Sequence, residues 1–265
     1  MKITLFTSNQ IRHNYFINLL SQVASELFVV QENCSNFPGT ADNHYPASNI
    51  LKSYFLKVGV AEQKLFKTSN SFVASNNINL LSVADGYLKN CSINQLKNFL
   101  GSDVYIVFGS SYIKGELVDF LIANKTINIH MGISPYYRGT DCNFWALYDN
   151  NPHLVGATIH LLSKGLDLGP ILYHALSELK NDPNSYTMST VKSAFHSLAE
   201  RIKNKSLFDI KPEKQNVLKE IRYSKNIDFN EDSLKLFLTK KIDLKNINFD
   251  LNFYKNPYFL KNNIE

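Results

Sequence analysis

Three cysteines in 265 residues, Cys34, Cys91 and Cys142, are too few, too widely spaced and odd in number for a disulfide framework. That leaves a reduced, cytoplasmic setting as the expectation. No apolar run is long enough to cross a bilayer, and Met1-Lys2-Ile3-Thr4-Leu5-Phe6 turns polar too soon for a secretory leader. An excess of one charge is lacking as well: 28 Lys and Arg against 23 Asp and Glu leave a formal +5. Such a balance suits anionic small molecules and falls far short of the dense basic face of a nucleic-acid binder. His13, His44, His153, His174 and His196 lack metal-ligand spacing, and no cysteine pair supports zinc, so no metal is expected. There is no internal repeat. No Gly-rich turn follows the first strand either, where Thr7-Ser8-Asn9-Gln10-Ile11-Arg12-His13 stands instead.

What the chain does have is an ordinary apolar content, 44%, patterned for a proper core. Lys2–Phe6 reads as a strand. Phe16, Leu19, Leu20 and Val23 then recur at helical spacing to about Ser25, and Leu27–Val30 reads as a second strand. Strand, helix and strand in so short a span form a βαβ unit, which implies a parallel sheet and a right-handed crossover. Residues 33–47, with Pro38, Gly39 and Pro46, read as a loop. Helices are expected over Leu51–Phe66, Ile93–Leu100, Lys114–Ala123, Thr140–Tyr148 and Ser185–Ile202. Strands are expected over Ile78–Val83, Asp103–Phe108, Thr126–His130, Val155–Leu162 and Pro170–Ala175. The expected fold is a Rossmann-like α/β domain over residues 1–203, a mostly parallel twisted sheet with helices on both faces. A small C-terminal extension over 204–265 follows, where lysine and asparagine rise and periodicity weakens. Ligands in such sheets gather at the carboxyl ends of strands, which places the loops after Phe108 and His130 at the working edge.

Residues 128–171 carry the chemistry. Asn128 and His130, two apart on a strand, point to one face and can address one reacting atom. Asp167, in a loop closed by Gly169, can orient the imidazole or relay a proton. An amide and a protonated imidazole facing a developing oxyanion suit attack of an amine on an acyl carbon. A lone histidine or aspartate of this kind is usually a hydrogen-bonded core or turn residue; the ordered set of motif parts is what raises these above that reading. Cys142 sits close by, but without a second histidine in the local motif it reads as a packed thiol rather than a nucleophile. Tyr136, Tyr137, Phe144 and Trp145 stand at a spacing more typical of core than of a stacking surface.

The ordered parts are Asn128-x-His130, Pro135-Tyr136-Tyr137-Arg138-Gly139, Thr158-x-His160 and Asp167-Leu168-Gly169. Together they resemble the formyltransferases that use 10-formyltetrahydrofolate, convincingly over residues 100–175 and more loosely back to Met1. The resemblance implies Asn128, His130 and Asp167 as the catalytic trio. It also implies a folate bound near Phe108, Gly109, Tyr112, His160, Lys164, Gly165 and Leu166. The turn variant Gly132–Gly139, with Asn143-Phe144-Trp145 behind it, looks most like the bacterial branch that formylates nucleotide-linked amino sugars for surface polysaccharide such as O-antigen. Asn9, Gln10, Arg12, His13, Tyr137 and Arg138 are then the expected acceptor contacts. Arg12 and Arg138 are the candidate phosphate ligands beside helix starts. Neither nucleic acid nor membrane is an expected partner, and a homodimer contact through the C-terminal region is compatible with the sequence.

There are departures. Members that formylate glycinamide ribonucleotide carry a Gly-rich loop after the first strand, and those acting on initiator tRNA carry a C-terminal β-barrel; neither is legible here. The competing readings are a formyltransferase on glycinamide ribonucleotide or another amine, a hydrolase passing the formyl group to water, and a folate- or nucleotide-binding module of the same fold without activity.

Overall fold

The computed structural model describes residues 1–33, 48–67, 75–245 and 247–260. Apart from Asn33, the loop read over 33–47, with Cys34 and His44, lies outside the described residues. The chain runs β1 (Lys2–Ser8), α1 (Ile11–Ser21), β2 (Glu26–Asn33), α2 (Asn49–Phe66) and β3 (Ile78–Ala84). After two short 3-10 turns come β4 (Val104–Phe108), α3 (Gly115–Ala123), β5 (Ile127–His130), β6 (Tyr137–Gly139) and α4 (Cys142–Tyr148). Then follow β7 (Ala157–Leu161), β8 (Ile171–Ser177), α5 (Pro183–Lys203), β9 (Arg222–Ser224), α6 (Glu231–Thr239) and β10 (Tyr258–Leu260). The helix expected over Ile93–Leu100 is the second of the 3-10 turns, Asn94–Phe99. The first helix stops at Ser21 rather than near Ser25, because the Ser25 N–H already pairs with Met1 O and commits the chain to β2.

The large sheet has the order β10-β8-β7-β5-β4-β1-β2-β3. Pairing is parallel from β3 through β5, antiparallel where β7 joins β5 and β8 joins β7, and parallel again at β10. It is the mostly parallel α/β sheet that the βαβ pattern implies.

Two-residue alternation explains why both faces are covered. On β4, Val104, Ile106 and Phe108 enter one apolar cluster with Phe16 and Leu20 of α1 and Phe195 and Leu198 of α5. Tyr105 and Val107 enter the opposite cluster with Leu117 and Leu121 of α3. On β5, Ile127 and Ile129 join the α1–α5 side, so Asn128 and His130 face the other way. α5 starts sharply because the Asp182 carboxylate accepts the Ser185 N–H at 2.8 Å and Pro183 occupies the first helical position. Beyond α5 the chain lays β9 beside β6 and β10 on the outer edge of the sheet. Phe229, Leu234 and Phe237 close an aromatic cluster around Phe144 and Trp145 of α4.

Buried neutral histidines make this fold acid-sensitive. Burial pushes His160 and His174 from 6.5 down to about 4. In His174, Nε2 donates to Ser134 O at 3.0 Å and Nδ1 accepts the Lys255 N–H at 2.8 Å, so the neutral ring is fully satisfied. Between those two pH values the unfolded chain holds a proton on each ring that the folded protein refuses, so stability falls as pH is lowered through the window. Each is expected to cost on the order of 2 kcal/mol by pH 5. Calorimetry should show the melting temperature declining from pH 7 to 5, with a shallower slope in His174→Phe.

Candidate active site

The site is built on β5, β7 and the loops that follow them. Register pairing sets Asn128 opposite His160 and His130 opposite Thr158. His160 Nδ1 lies 2.8 Å from Leu161 O, which can only accept, so Nδ1 carries the ring proton. Its Nε2 is then free to accept from Asn128 Nδ2 at 3.0 Å. This bond fixes which way the Asn128 amide faces and leaves its second N–H for another acceptor. His160, 1% exposed, is thereby a neutral brace for Asn128.

His130 Nε2 lies 3.0 Å from Tyr137 O, and its Nδ1 lies 3.3 Å from Asp167 Oδ2. Both partners are acceptors, an arrangement that a doubly protonated imidazole satisfies in full. Asp167 Oδ2 also accepts the Gly139 N–H at 3.2 Å, and Oδ1 lies 3.9 Å from His160 Nε2. The three residues expected to form the catalytic trio therefore converge, with His160 among them. For His130 to meet an oxyanion as well, one of its present acceptors has to give way. Thr158 holds the adjoining turn: its hydroxyl donates to Gly132 O at 2.5 Å and accepts the Ser134 N–H at 2.8 Å.

The loops expected to flank a folate also meet, where the Tyr112 hydroxyl donates to Lys164 O at 3.3 Å. Tyr112 and Leu166 are exposed and offer an apolar rim, with Gly165 in the turn between Lys164 and Leu166. Lys164 is exposed and paired with Asp119 at 2.7 Å. Phe108 does something else: it is buried against His13, Phe16 and Phe195, so only its backbone borders the loop. Gly109 adopts φ +61°, and a Cβ there would stand 2.6 Å from His13 Nε2. Close packing of His13 under the loop thus requires a glycine.

The expected acceptor contacts divide. Asn9 and Gln10 are partly exposed at the start of α1. His13 is buried, accepts the Gln10 N–H on Nδ1 at 3.2 Å, and is held well below the ordinary histidine range by burial and by Arg12. Arg12 is already engaged: Nη1 donates to Glu62 Oε1 at 2.9 Å, and the Arg12 backbone N–H joins the same oxygen at 3.1 Å. Glu62 is only 3% exposed. Arg12→Ala would strand that carboxylate and is expected to destabilise the protein by about 3 kcal/mol. Chemical denaturation should show this loss before any change in acceptor KM is interpreted. Tyr137 is fully buried, its hydroxyl donating to Asp149 and accepting from Asn151 Nδ2 at 2.7 Å, so its side chain supports the turn from beneath. Arg138 donates to Glu220 and, at 3.2 Å, to Leu166 O, and so ties the Asp167 loop to the C-terminal segment. Cys142 is buried, donates to Gly139 O, and has its thiol pushed well above the ordinary range by burial, the state of an inert packed thiol.

Two side chains outside the motif shape the site. Glu32, buried at the end of β2, accepts the Ser111 N–H at 2.6 Å, the Ser111 hydroxyl at 2.7 Å and the Leu88 N–H at 3.2 Å. It fixes the loop after β4. A carboxylate two residues past the apolar run Leu27–Val30 was the signal for it. Gln215 reaches the Asp167 loop from the C-terminal segment, and no sequence pattern announces it. Among the described residues no group of three or more His, Cys, Asp or Glu is gathered to hold a metal, and no described helix is long and apolar enough to cross a membrane.

Residues 85–205 match the family model described as Formyl transferase. The methionyl-tRNA formyltransferase of Thermosynechococcus vestitus is 32% identical over 90 residues, covering 34% of this chain. The match spans only 27% of that relative's length. A phosphoribosylglycinamide formyltransferase from Anaplasma phagocytophilum superimposes with a TM-score of 0.51 at 19% identity, over 80% of this chain and 89% of that one. The formyltransferase PseJ from Anoxybacillus kamchatkensis, solved with UDP-4,6-dideoxy-4-formamido-L-AltNAc and tetrahydrofolate, superimposes with a TM-score of 0.50 at 19% identity. That alignment covers 92% of this chain and 95% of PseJ. At such identity the likeness is one of fold.

Proposed function

From the match of residues 85–205 to the formyl transferase family model, we propose that this protein moves a formyl group from 10-formyltetrahydrofolate to the amine of a nucleotide-linked amino sugar. The observation that carries the reading is the convergence of Asn128, His130 and Asp167, with the Asn128 amide oriented by His160. The neutral amine attacks the formyl carbon, a C–N bond forms, and the carbonyl π pair moves to oxygen. The second Asn128 N–H and the protonated His130 stabilise that oxyanion. Asp167 takes the amine's proton. The pair on oxygen then returns and expels the folate N10, which receives a proton in its turn, so tetrahydrofolate and the formamide leave with charge balanced.

The folate would lie against Tyr112, Gly165 and Leu166, with Lys164 at the rim. The sugar acceptor is supported by the turn Gly132–Gly139 and by the alignment with PseJ, which extends past the family segment into the C-terminal residues. The missing Gly-rich turn after β1 counts against glycinamide ribonucleotide. A surface-polysaccharide setting follows from the acceptor class. Incubation with 10-formyltetrahydrofolate and a panel of nucleotide amino sugars, read by mass spectrometry, is expected to show one acceptor gaining a single CO. Formylation of glycinamide ribonucleotide alone would replace the acceptor, and folate retention with no formylated amine would replace the enzyme by a binding module.

A further inference from the structure

Asp167 carries its carboxylate on a loop that does little to hold itself. Its φ is +53°, in the left-handed region that side chains other than glycine rarely adopt. Within the loop, Leu168 N–H reaches Gly165 O at 3.3 Å. The carbonyls of Leu166, Asp167 and Gly169 are instead taken by side chains from elsewhere: Arg138 holds Leu166 O, and the single Gln215 amide nitrogen donates to both Asp167 O and Gly169 O at 2.7 Å each.

Gln215 is well placed for this. It is 7% exposed, and the backbone just before it is locked to β8 by reciprocal bonds between Glu213 and Ile171, at 2.8 and 2.9 Å. Because both loop partners are carbonyls, the amide has to present its NH2 to the loop. Its Oε1 bonds no protein group, and the residue lines a cavity of about 340 Å³ together with Ser134, His174 and Lys219. Both N–H bonds are therefore spent on the carbonyl of the strained residue itself and on that of Gly169, two residues further on. We infer that Gln215 is a positioning residue: it holds Asp167 in its left-handed conformation and so keeps the carboxylate against His130. The inference rests on the formyl-transfer reading only for its kinetic consequence; the geometric one is independent.

The test compares the full chain with Gln215→Leu and the isosteric Gln215→Glu. In Gln215→Leu, kcat is expected to fall about 100-fold, the scale of a small misplacement of a reacting group. The folate KM should change little, since Gln215 bonds Asp167 O and Gly169 O and none of Tyr112, Lys164, Gly165 or Leu166. In Gln215→Glu the ionised side chain would face two carbonyl oxygens, so activity relative to wild type should rise as pH is lowered and the acid regains an O–H donor. A role in stability alone would lower the melting temperature without that pH-dependent ratio. Imidazole 1H–15N spectra supply the readout that needs no turnover. His130 resonances should shift in both variants while those of His196, bonded to Tyr15 between α1 and α5, stay put. Wild-type kcat together with unshifted His130 resonances in Gln215→Glu would overturn the inference, and so would the same result in Gln215→Leu. If wild-type protein forms no formylated product but the His130 shift is seen, the function fails and the positioning role stands.

Discussion

Asp167→Asn is expected to cut kcat by about 100- to 10,000-fold, the range that a positioned acid or base contributes. The fold and the folate KM should stay close to wild type. The substitution keeps shape and volume but removes the charge that faces His130 Nδ1 at 3.3 Å and accepts the Gly139 N–H at 3.2 Å. Charge at this position matters most when the amine sheds its proton, a moment that ground-state binding does not sense. Steady-state kinetics with both substrates varied would check it: a loss in KM with kcat intact would mean that Asp167 binds rather than catalyses. Cys142→Ser is the matched control from the same neighbourhood. With its thiol buried, bonded to Gly139 O and held protonated, that variant should retain most turnover. Near-complete loss in a folded Cys142→Ser protein would argue for a covalent intermediate instead.

The parts of this site legible in the sequence are those encoded by local spacing. Asn128 and His130 share a face because a strand alternates, and the structure keeps them there because Ile127 and Ile129 are drawn to the opposite cluster. The loop after Phe108 announced itself by glycine. What it left unsaid was that His13 lies beneath it and that Glu32, from the neighbouring strand, pins Ser111. Arg12 was only half legible, for a physical reason. A guanidinium at a helix start has two uses, and the buried Glu62 that claims it lies fifty residues away, beyond the reach of any local pattern. Tyr137 and Arg138 sit in a recognisable turn, yet their side chains are claimed by Asp149, Asn151 and Glu220. Gln215 was the least legible of all. Its neighbours form a lysine- and asparagine-rich stretch without periodicity, and only the pairing of Glu213 with Ile171 brings it under the loop.

Gly169→Ala is expected to disable the enzyme more completely than its single added methyl suggests. A Cβ at this position would stand 1.6 Å from Leu161 O, 2.8 Å from the Leu161 carbonyl carbon and 2.9 Å from His160 Nδ1. Leu161 is paired in β7, so the obstruction is strand backbone rather than the movable end of a side chain. The loop has to retreat instead. Retreat pulls Gly169 O from Gln215, shifts Asp167 away from His130, and presses on the histidine that orients Asn128. Overpacking of this kind costs about 1–3 kcal/mol in stability, and a displacement of about 1 Å at the reacting groups costs about another 100-fold in rate. Gly59, inside α2, supplies the contrast, since nothing lies within 4 Å of its added Cβ. Gly59→Ala should stabilise the protein by about 1 kcal/mol through helix propensity alone and leave kcat untouched. Urea unfolding paired with turnover, run on both variants, decides the matter. A Gly169→Ala protein with wild-type kcat would mean that the Asp167 loop can move without consequence, and the site would then have to be sought elsewhere on the sheet edge.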